Sequence, residues 1–372
     1  MQLGAFLMPS HPPERPLREA HEWDLKNLEY LDRVGFDEAW IGEHFTAPWE
    51  PIVAPDLMIA QAITRTRRIR LGPGGHLLPY YNPAVLAHRI AYLDHLSDGR
   101  IMFGVASGGV PTDWRLFDYV NLGELNREKT REAVEIILKI WNEPGPWRYP
   151  GKFWNVSLPE PMFGSLKYHV KPLQVPHPPM AIAGLSPKSP TLSLAGEYGL
   201  WPLSIAFSHR HLLSHWQSVV EGAVKAGKLA DRAHWRINLP VYVAATDAEA
   251  INQVLNGPIG RAFNEYLMPL WRAAGLINSF KEDPSAPDDS VTLERMVKEA
   301  WLVGSPRTVI DKFLELQRYT GGFGGVLVTV FDHSEPAYER DWFESLRLLA
   351  EEVMPAVRDK LAGGRQSELK SA

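Results

Sequence analysis

His44 is the side chain in this sequence best suited to moving a proton near neutral pH, where imidazole titrates. It ends the run FDEAWIGEH (36–44), whose apolar centre reads as a β-strand running into Gly42-Glu43-His44-Phe45. Neighbouring strand residues face opposite ways, so Glu43 is expected to ion-pair elsewhere in the wall rather than hold the His44 ring. A hydrogen-bonded structural histidine is the competing reading of His44. None of the 13 histidines falls in an H-E-x-x-H or comparable pattern, so no metal site is expected.

Small residues form the second constellation. Gly74 and Gly75 follow a β-rich run at 69–71, and Ala106, Ser107, Gly108 and Gly109 follow another at 101–105. Gly184, Leu185 and Ser186 follow a third at 180–183. Small residues at the C-terminal ends of parallel strands let a ligand approach the backbone; tight turns alone would use the same residues. Ser186 and Ser189 precede a helix, where N–H groups and hydroxyls suit a phosphate, although ordinary capping has the same signature. Arg127, at the start of a long helix, could pair with a phosphate bidentately or be a solvated surface arginine.

These residues need elements to position them. Strand-like runs occur near residues 3, 37, 69, 101, 180, 200, 237 and 326, with helical periodicity between most of them. Eight strands alternating with helices predict a one-domain α/β (β/α)8 TIM barrel with insertions; a doubly wound open sheet is the alternative. The first strand is expected to end at Pro9, and Gly35 to stop a helix over 18–34. Helices are also expected over 55–66, 83–96, 126–141, 191–198 and 209–226, and a C-terminal one over 338–361. Asp247 reads as an N-cap, and Ser305-Pro306 as a helix start. Residues 147–179, rich in Pro and aromatics, read as a long excursion with a hairpin around 149–156; residues 256–290 read as an irregular insertion or lid.

Composition narrows the function. The absence of cysteine excludes disulfides, thiolate metal sites and a cysteine nucleophile. There is no G-x-S-x-G elbow, no P-loop, and no G-x-G-x-x-G after the first strand. A net charge of −5 without dense Lys/Arg runs argues against nucleic acid. No apolar run reaches membrane-spanning length and the N-terminal stretch lacks a basic region, so a soluble cytoplasmic protein is expected. Thirteen tryptophans suit an aromatic-lined, hydrophobic pocket.

FDEAWIGEHF (36–45), RLG (70–72) through LP (78–79) to NP (82–83), and LDHLSDGR (93–100) resemble the bacterial luciferase-like flavin-dependent monooxygenases. So do residues 104–108, AGEYGL (195–200) and VGSP (303–306). That family includes alkanal, alkanesulfonate and limonene monooxygenases and a branch using the deazaflavin F420. The resemblance spans nearly the whole chain and implies a (β/α)8 barrel with reduced FMN at the strand C-termini. It places His44 beside the flavin, in its oxygen chemistry. Gly74 and Gly75 would pass the isoalloxazine, often through a non-prolyl cis peptide, and Arg127, Gly184, Leu185 and Ser186 would meet the phosphate. Ala106 and Ser107 stand where luciferase has a reactive cysteine and an arginine, which puts one phosphate contact in doubt. Glu43-His44, where F420 users often have Asp-His, favours FMN. The implied activity is the oxygenase half of a two-component system, supplied with FMN by an NAD(P)H:flavin reductase. With O2 it would oxidise a small hydrophobic substrate, terpenoid or aromatic, beneath a cover made of segments near Trp147 and Trp154 and residues 256–289. A homodimer pairing through helices near the second and third strands is implied too. An F420-dependent dehydrogenase and a non-catalytic flavin-binding protein are the alternatives.

Overall fold

The computed structural model describes residues 1–8, 10–118 and 122–371. The apolar runs become strands because both faces can be buried, one inside the barrel and one under helices. In chain order the strands are β1 (Gln2–Leu7), β2 (Glu38–Ile41), β3 (Arg70–Pro73), β4 (His76–Leu77), β5 (Phe103–Ala106), the hairpin β6 (Trp147–Pro150) and β7 (Asn155–Leu158), β8 (Met180–Gly184), β9 (Trp201–Ile205), β10 (Arg236–Leu239), β11 (Val241–Val243), β12 (Leu302–Gly304) and β13 (Gly325–Val330). Nine of them form one parallel sheet in the order β3-β2-β1-β13-β10-β9-β8-β5-β4.

The two ends of that order are two halves of one run. β3 pairs with β2, β4 pairs with β5, and Gly74-Gly75 lies between them. A parallel bridge from Leu71 to Ile101 joins the ends. The barrel therefore closes with eight strand positions, the third broken at the glycine pair, as the expected (β/α)8 fold requires. A Cβ on Gly74 would stand 3.0 Å from both Phe6 and Trp40, and one on Gly75 would stand 2.5 Å from the Val105 nitrogen. The glycines let the third strand pass between its neighbours. Phe6, Trp40, Met102, Ala181, Leu203 and Leu327 fill the interior.

The helices lie outside: α1 (Leu17–Val34), α2 (Pro55–Arg65), α3 (Pro83–Leu96), α4 (Pro111–Leu116), α5 (Leu122–Asn142), α6 (Pro190–Tyr198), α7 (Arg210–Lys225), α8 (Asp247–Asn256), α9 (Pro258–Ala262), α10 (Met268–Ala273), α11 (Leu293–Glu299), α12 (Pro306–Thr320), α13 (Pro336–Leu348) and α14 (Met354–Ser371). Gly35 ends α1 in the left-handed region at φ 95°, as expected. None of the helices among the described residues is long and apolar enough to cross a membrane.

Several expectations are corrected. Thr246, not Asp247, is the N-cap of α8: its hydroxyl accepts from Glu249 N–H while the Glu249 carboxylate accepts from Thr246 N–H. Ser305 sits at the N-cap of α12 without a side-chain bond to the backbone. Residues 256–290 are not mainly irregular, because α9, a π turn at Phe263–Leu267 and α10 run on from one another. The C-terminal helix begins at Pro336 and includes a second π turn at Leu349–Val353. The hairpin β6–β7 is present, but its tryptophans pack on α5: Lys139 lies over Trp147, Lys129 lies over Trp154, and Glu132 accepts the Trp154 N–H. Pro9, the expected end of the first strand, lies outside the described residues.

Candidate active site

Parallel strands end together at one mouth of a barrel, and the loops that follow them gather there. His44 lies three residues past β2. Its Nε2 is 3.0 Å from Glu50 Oε2 and its Nδ1 is 3.5 Å from Asp113 Oδ2. Asp113, on α4 after β5, also accepts from Phe45 N–H at 3.2 Å and from the Thr46 hydroxyl. Thr46 and Thr112 hydroxyls meet at 2.6 Å, which ties the loop after β2 to the one after β5. Burial acts to lower the His44 pKa. The charge of Glu50 and hydrogen bonds to Asp113 and Glu50 outweigh it and push the pKa up to about 10. Burial acts to raise the Asp113 carboxyl, but its bonds to His44 and Thr46 hold it below the usual range. His44 is therefore an imidazolium at neutral pH. The expectation of a ring titrating near neutrality is overturned by the two carboxylates.

Glu43 faces away from His44, although both lie in the loop after β2. Its carboxylate accepts Leu77 N–H at 2.8 Å, lies 3.3 Å from His76 Nδ1, and accepts the Tyr81 hydroxyl. This cluster fastens β4 behind the barrel wall.

Gly74 and Gly75 lie in the wall between β2 and β5. The cis peptide bonds among the described residues precede Pro146 and Pro176, so the expected non-prolyl cis bond at Gly74-Gly75 is absent. Ala106 ends β5 opposite Leu77. The Ser107 hydroxyl accepts from Thr130 of α5 at 2.9 Å. Arg127 precedes Thr130 by three residues and so shares its helix face. No carboxylate pairs with Arg127 among the described residues. Asn126 beside it is 1% exposed, with neither side-chain polar atom partnered among them. Gly184, Leu185 and Ser186 form the turn into α6, and Ser189 caps that helix by accepting Leu192 N–H at 3.3 Å. Among the described residues no hydrogen bond joins this turn to Arg127, so the two expected phosphate contacts approach from separate loops.

Aromatic side chains rim the mouth. Phe45 meets Phe117 edge-on at 5.1 Å, and Tyr80 stacks on Phe117 at 4.3 Å. The segment 256–290 adds two more contacts. Tyr266 stacks on Trp49 at 5.5 Å and bonds Glu50, and Phe280 stacks on Phe207 at 4.3 Å. Glu50, Asp113 and Tyr266 are the participants that sequence reasoning missed. None lies in a periodic segment beside His44, and only the fold brings them together.

The family model for luciferase-like monooxygenases matches residues 1–322. The chain is 34% identical to 3,6-diketocamphane 1,6-monooxygenase of Pseudomonas putida, over 96% of this chain and 98% of that one. It is 32% identical to limonene 1,2-monooxygenase of Rhodococcus erythropolis, over 95% and 86%. The solved oxygenating constituent of 3,6-diketocamphane monooxygenase from Pseudomonas putida, a type II Baeyer–Villiger monooxygenase in complex with FMN, superposes with a TM-score of 0.88 at 35% identity, covering 95% of this chain and 98% of that one. With the family model matching most of its length and a relative 34% identical over 96% of it, this chain belongs to the luciferase-like monooxygenases.

Proposed function

We propose that the protein is an FMN-dependent monooxygenase, the oxygenase component of a two-component system, acting on a small apolar terpenoid ketone. A separate NAD(P)H:flavin reductase in the cytoplasm supplies reduced FMN. The observation that carries this reading is His44, a half-buried cation at the barrel mouth in a chain that shares 35% identity with an FMN-bound relative over 95% of its length. The residues present suit a flavin. Arg127 has no carboxylate partner among the described residues, and small residues at 106–107 and 184–186 leave room for backbone approach. Arg127 and Ser186 are assigned to the phosphate, Ala106 and Ser107 to the wall between, and Gly74-Gly75 to the side of the ring.

When bound, reduced FMN would supply the two electrons that activate O2, one atom of which goes to the substrate and the other to water. The chain's own residues do the rest. His44 holds a proton at the mouth between Glu50 and Asp113 and is the one positive group of that cluster. Both its ring N–H groups are already donated, so it delivers a proton only as Glu50 or Asp113 yields one. The aromatic rim and the segment 256–290 form the cover: they exclude water and give an apolar substrate its contact area. The substrate class rests on that rim and on the diketocamphane and limonene relatives. A homodimer through α2 and α3 is part of the reading, supported by exposed Leu57, Val85, Tyr92 and Leu96.

The test supplies the purified protein with NADH, FMN, a flavin reductase and 18O2, with camphor-type bicyclic ketones and limonene as probes. A lactone or oxygenated terpene carrying one labelled atom is expected. Turnover with reduced F420 and none with reduced FMN would overturn the proposal.

A further inference from the structure

We propose that His215, on α7, is a positioning residue that fixes the turn 184–186 so that the Ser186 N–H faces the flavin phosphate. The proposal rests on the assignment of that turn to the phosphate made above.

Packing brings α7 to the turn. A Cβ on Gly196 of α6 would stand 1.9 Å from the Val219 oxygen, and one on Gly222 of α7 would stand 1.9 Å from the Ser193 oxygen. With a glycine on each side the two helix backbones touch, and the inner face of α7 reaches the residues that lead into α6. On that face His215 is fully buried, with Nε2 3.1 Å from the Ser186 carbonyl and a further bond to the Leu185 carbonyl. Burial and then the neighbouring His211 push its pKa down to about 4, so the ring is neutral. A neutral ring facing carbonyl oxygens must carry its hydrogen on Nε2. Nδ1 is left bare, and it has no partner among the described residues.

The geometry of one peptide unit completes the inference. In a trans peptide the carbonyl of residue 185 and the N–H of residue 186 point in opposite directions. Holding the Leu185 carbonyl against α7 turns the Ser186 N–H away from α7. That N–H has no backbone or side-chain acceptor among the described residues. The next two positions cannot substitute, because Pro187 has no N–H and Lys188 gives its own to the Ser214 hydroxyl at 3.3 Å. Nor can the N-terminus of α7 take the anion, since the Glu282 carboxylate already accepts the N–H groups of His209 and Arg210. The Ser186 N–H is thus a free donor in the turn, and His215 orients it.

The experiment titrates the whole protein anaerobically with reduced FMN and with reduced riboflavin, which lacks the phosphate, following tryptophan fluorescence. His215→Leu is expected to raise the Kd for FMN roughly tenfold, the size of one hydrogen bond to a charged group, and to leave riboflavin unchanged. His215→Gln keeps an N–H at similar reach and should restore most of the loss. If His215→Leu fails to fold, His215→Asn, too short to reach the carbonyls, takes its place. Equal weakening for both flavins, or no weakening for FMN, overturns the role of His215. Ser186→Pro removes the N–H itself. If it leaves the preference for FMN over riboflavin intact, the phosphate is not at this turn and the underlying assignment fails. If it abolishes that preference while His215→Leu does not, the assignment stands and the positioning role alone falls.

Discussion

Among the described residues two histidines lie between paired carboxylates, both in loops after strands, and only one of them is built to be reached. His44 lies between Glu50 and Asp113 after β2. His11, after β1, lies with Nε2 3.1 Å from Asp24 and Nδ1 2.9 Å from Asp332. Burial acts against the charge on His11, and the charge of Asp24 and bonds to both aspartates push its pKa up to about 9. Arg15 adds a second cation on Asp332, so the His11 cluster balances two positive groups against two carboxylates. The His44 cluster has one positive group against two. The His11 side chain is 2% exposed and the His44 side chain 14%. The same chemistry serves as a neutral internal staple in one place and as an open-edged, charge-unbalanced group in the other. A carboxylate-clamped histidine is therefore not by itself a sign of function; exposure at the mouth and an uncompensated charge separate the two.

The comparison breaks most readily at activity. His44→Gln should lower turnover by two orders of magnitude or more, about 3 kcal/mol of transition-state stabilisation, and should lower the melting temperature too, because the raised pKa of His44 is a contribution to stability at neutral pH. Steady-state oxygenation with excess reductase measures this. His11→Gln should cost stability alone, about 3 kcal/mol by denaturant titration because buried Asp24 loses its cation and Asp332 is left with Arg15, while the surviving folded enzyme keeps most of its turnover. If both variants lose activity without losing stability, the two clusters are not different in kind.

The pH dependence sharpens the contrast. Both folded histidines bind protons more tightly than the ordinary value of 6.5. Their contribution to stability is complete below 6.5 and is lost as pH rises through about 9 for His11 and about 10 for His44. Melting temperature should fall between pH 7 and pH 10, and His11→Gln should flatten the lower part of that fall. A profile that rises over the window would contradict both assignments. The smallest effect expected is that of Tyr266→Phe, which removes one hydroxyl from Glu50. It should cost about 1 kcal/mol or less and shift the alkaline limb of the rate profile slightly.

The barrel was legible because its strands are apolar runs with small residues at their ends, and α5 because Ala133, Ile136, Ile137 and Ile140 recur at helical spacing. His44 was legible because an imidazole follows an apolar run that had to be a strand, although the strand stops at Ile41 and alternation does not reach Glu43. Its charge state was not, since Glu50 arrives from a loop and Asp113 from a helix too short to show a period. The glycine pair was read as a ligand approach; the structure adds that it also splits a barrel strand, which requires knowing that Phe6, Trp40 and Val105 lie alongside. The helices of 256–290 were hidden by Pro258 and Pro269, which interrupt the period without ending the helical path. The capping box at Thr246 and Glu249 was present in the sequence as T-x-x-E, and the neighbouring Asp247 masked it.

The π turn at Phe263–Leu267 has a consequence for descent. A π turn arises when one residue is inserted into an α-helix without breaking it, and it swings everything beyond the insertion by roughly 100° about the axis. Tyr266, which meets Trp49 and Glu50, lies inside that turn. A single-codon deletion there would restore an ordinary helix and rotate the phenol off the acidic partner of His44, with no change in the barrel. The contact between this segment and the histidine clamp is thus an inheritable unit one residue in size, which lineages can acquire or lose independently of the scaffold.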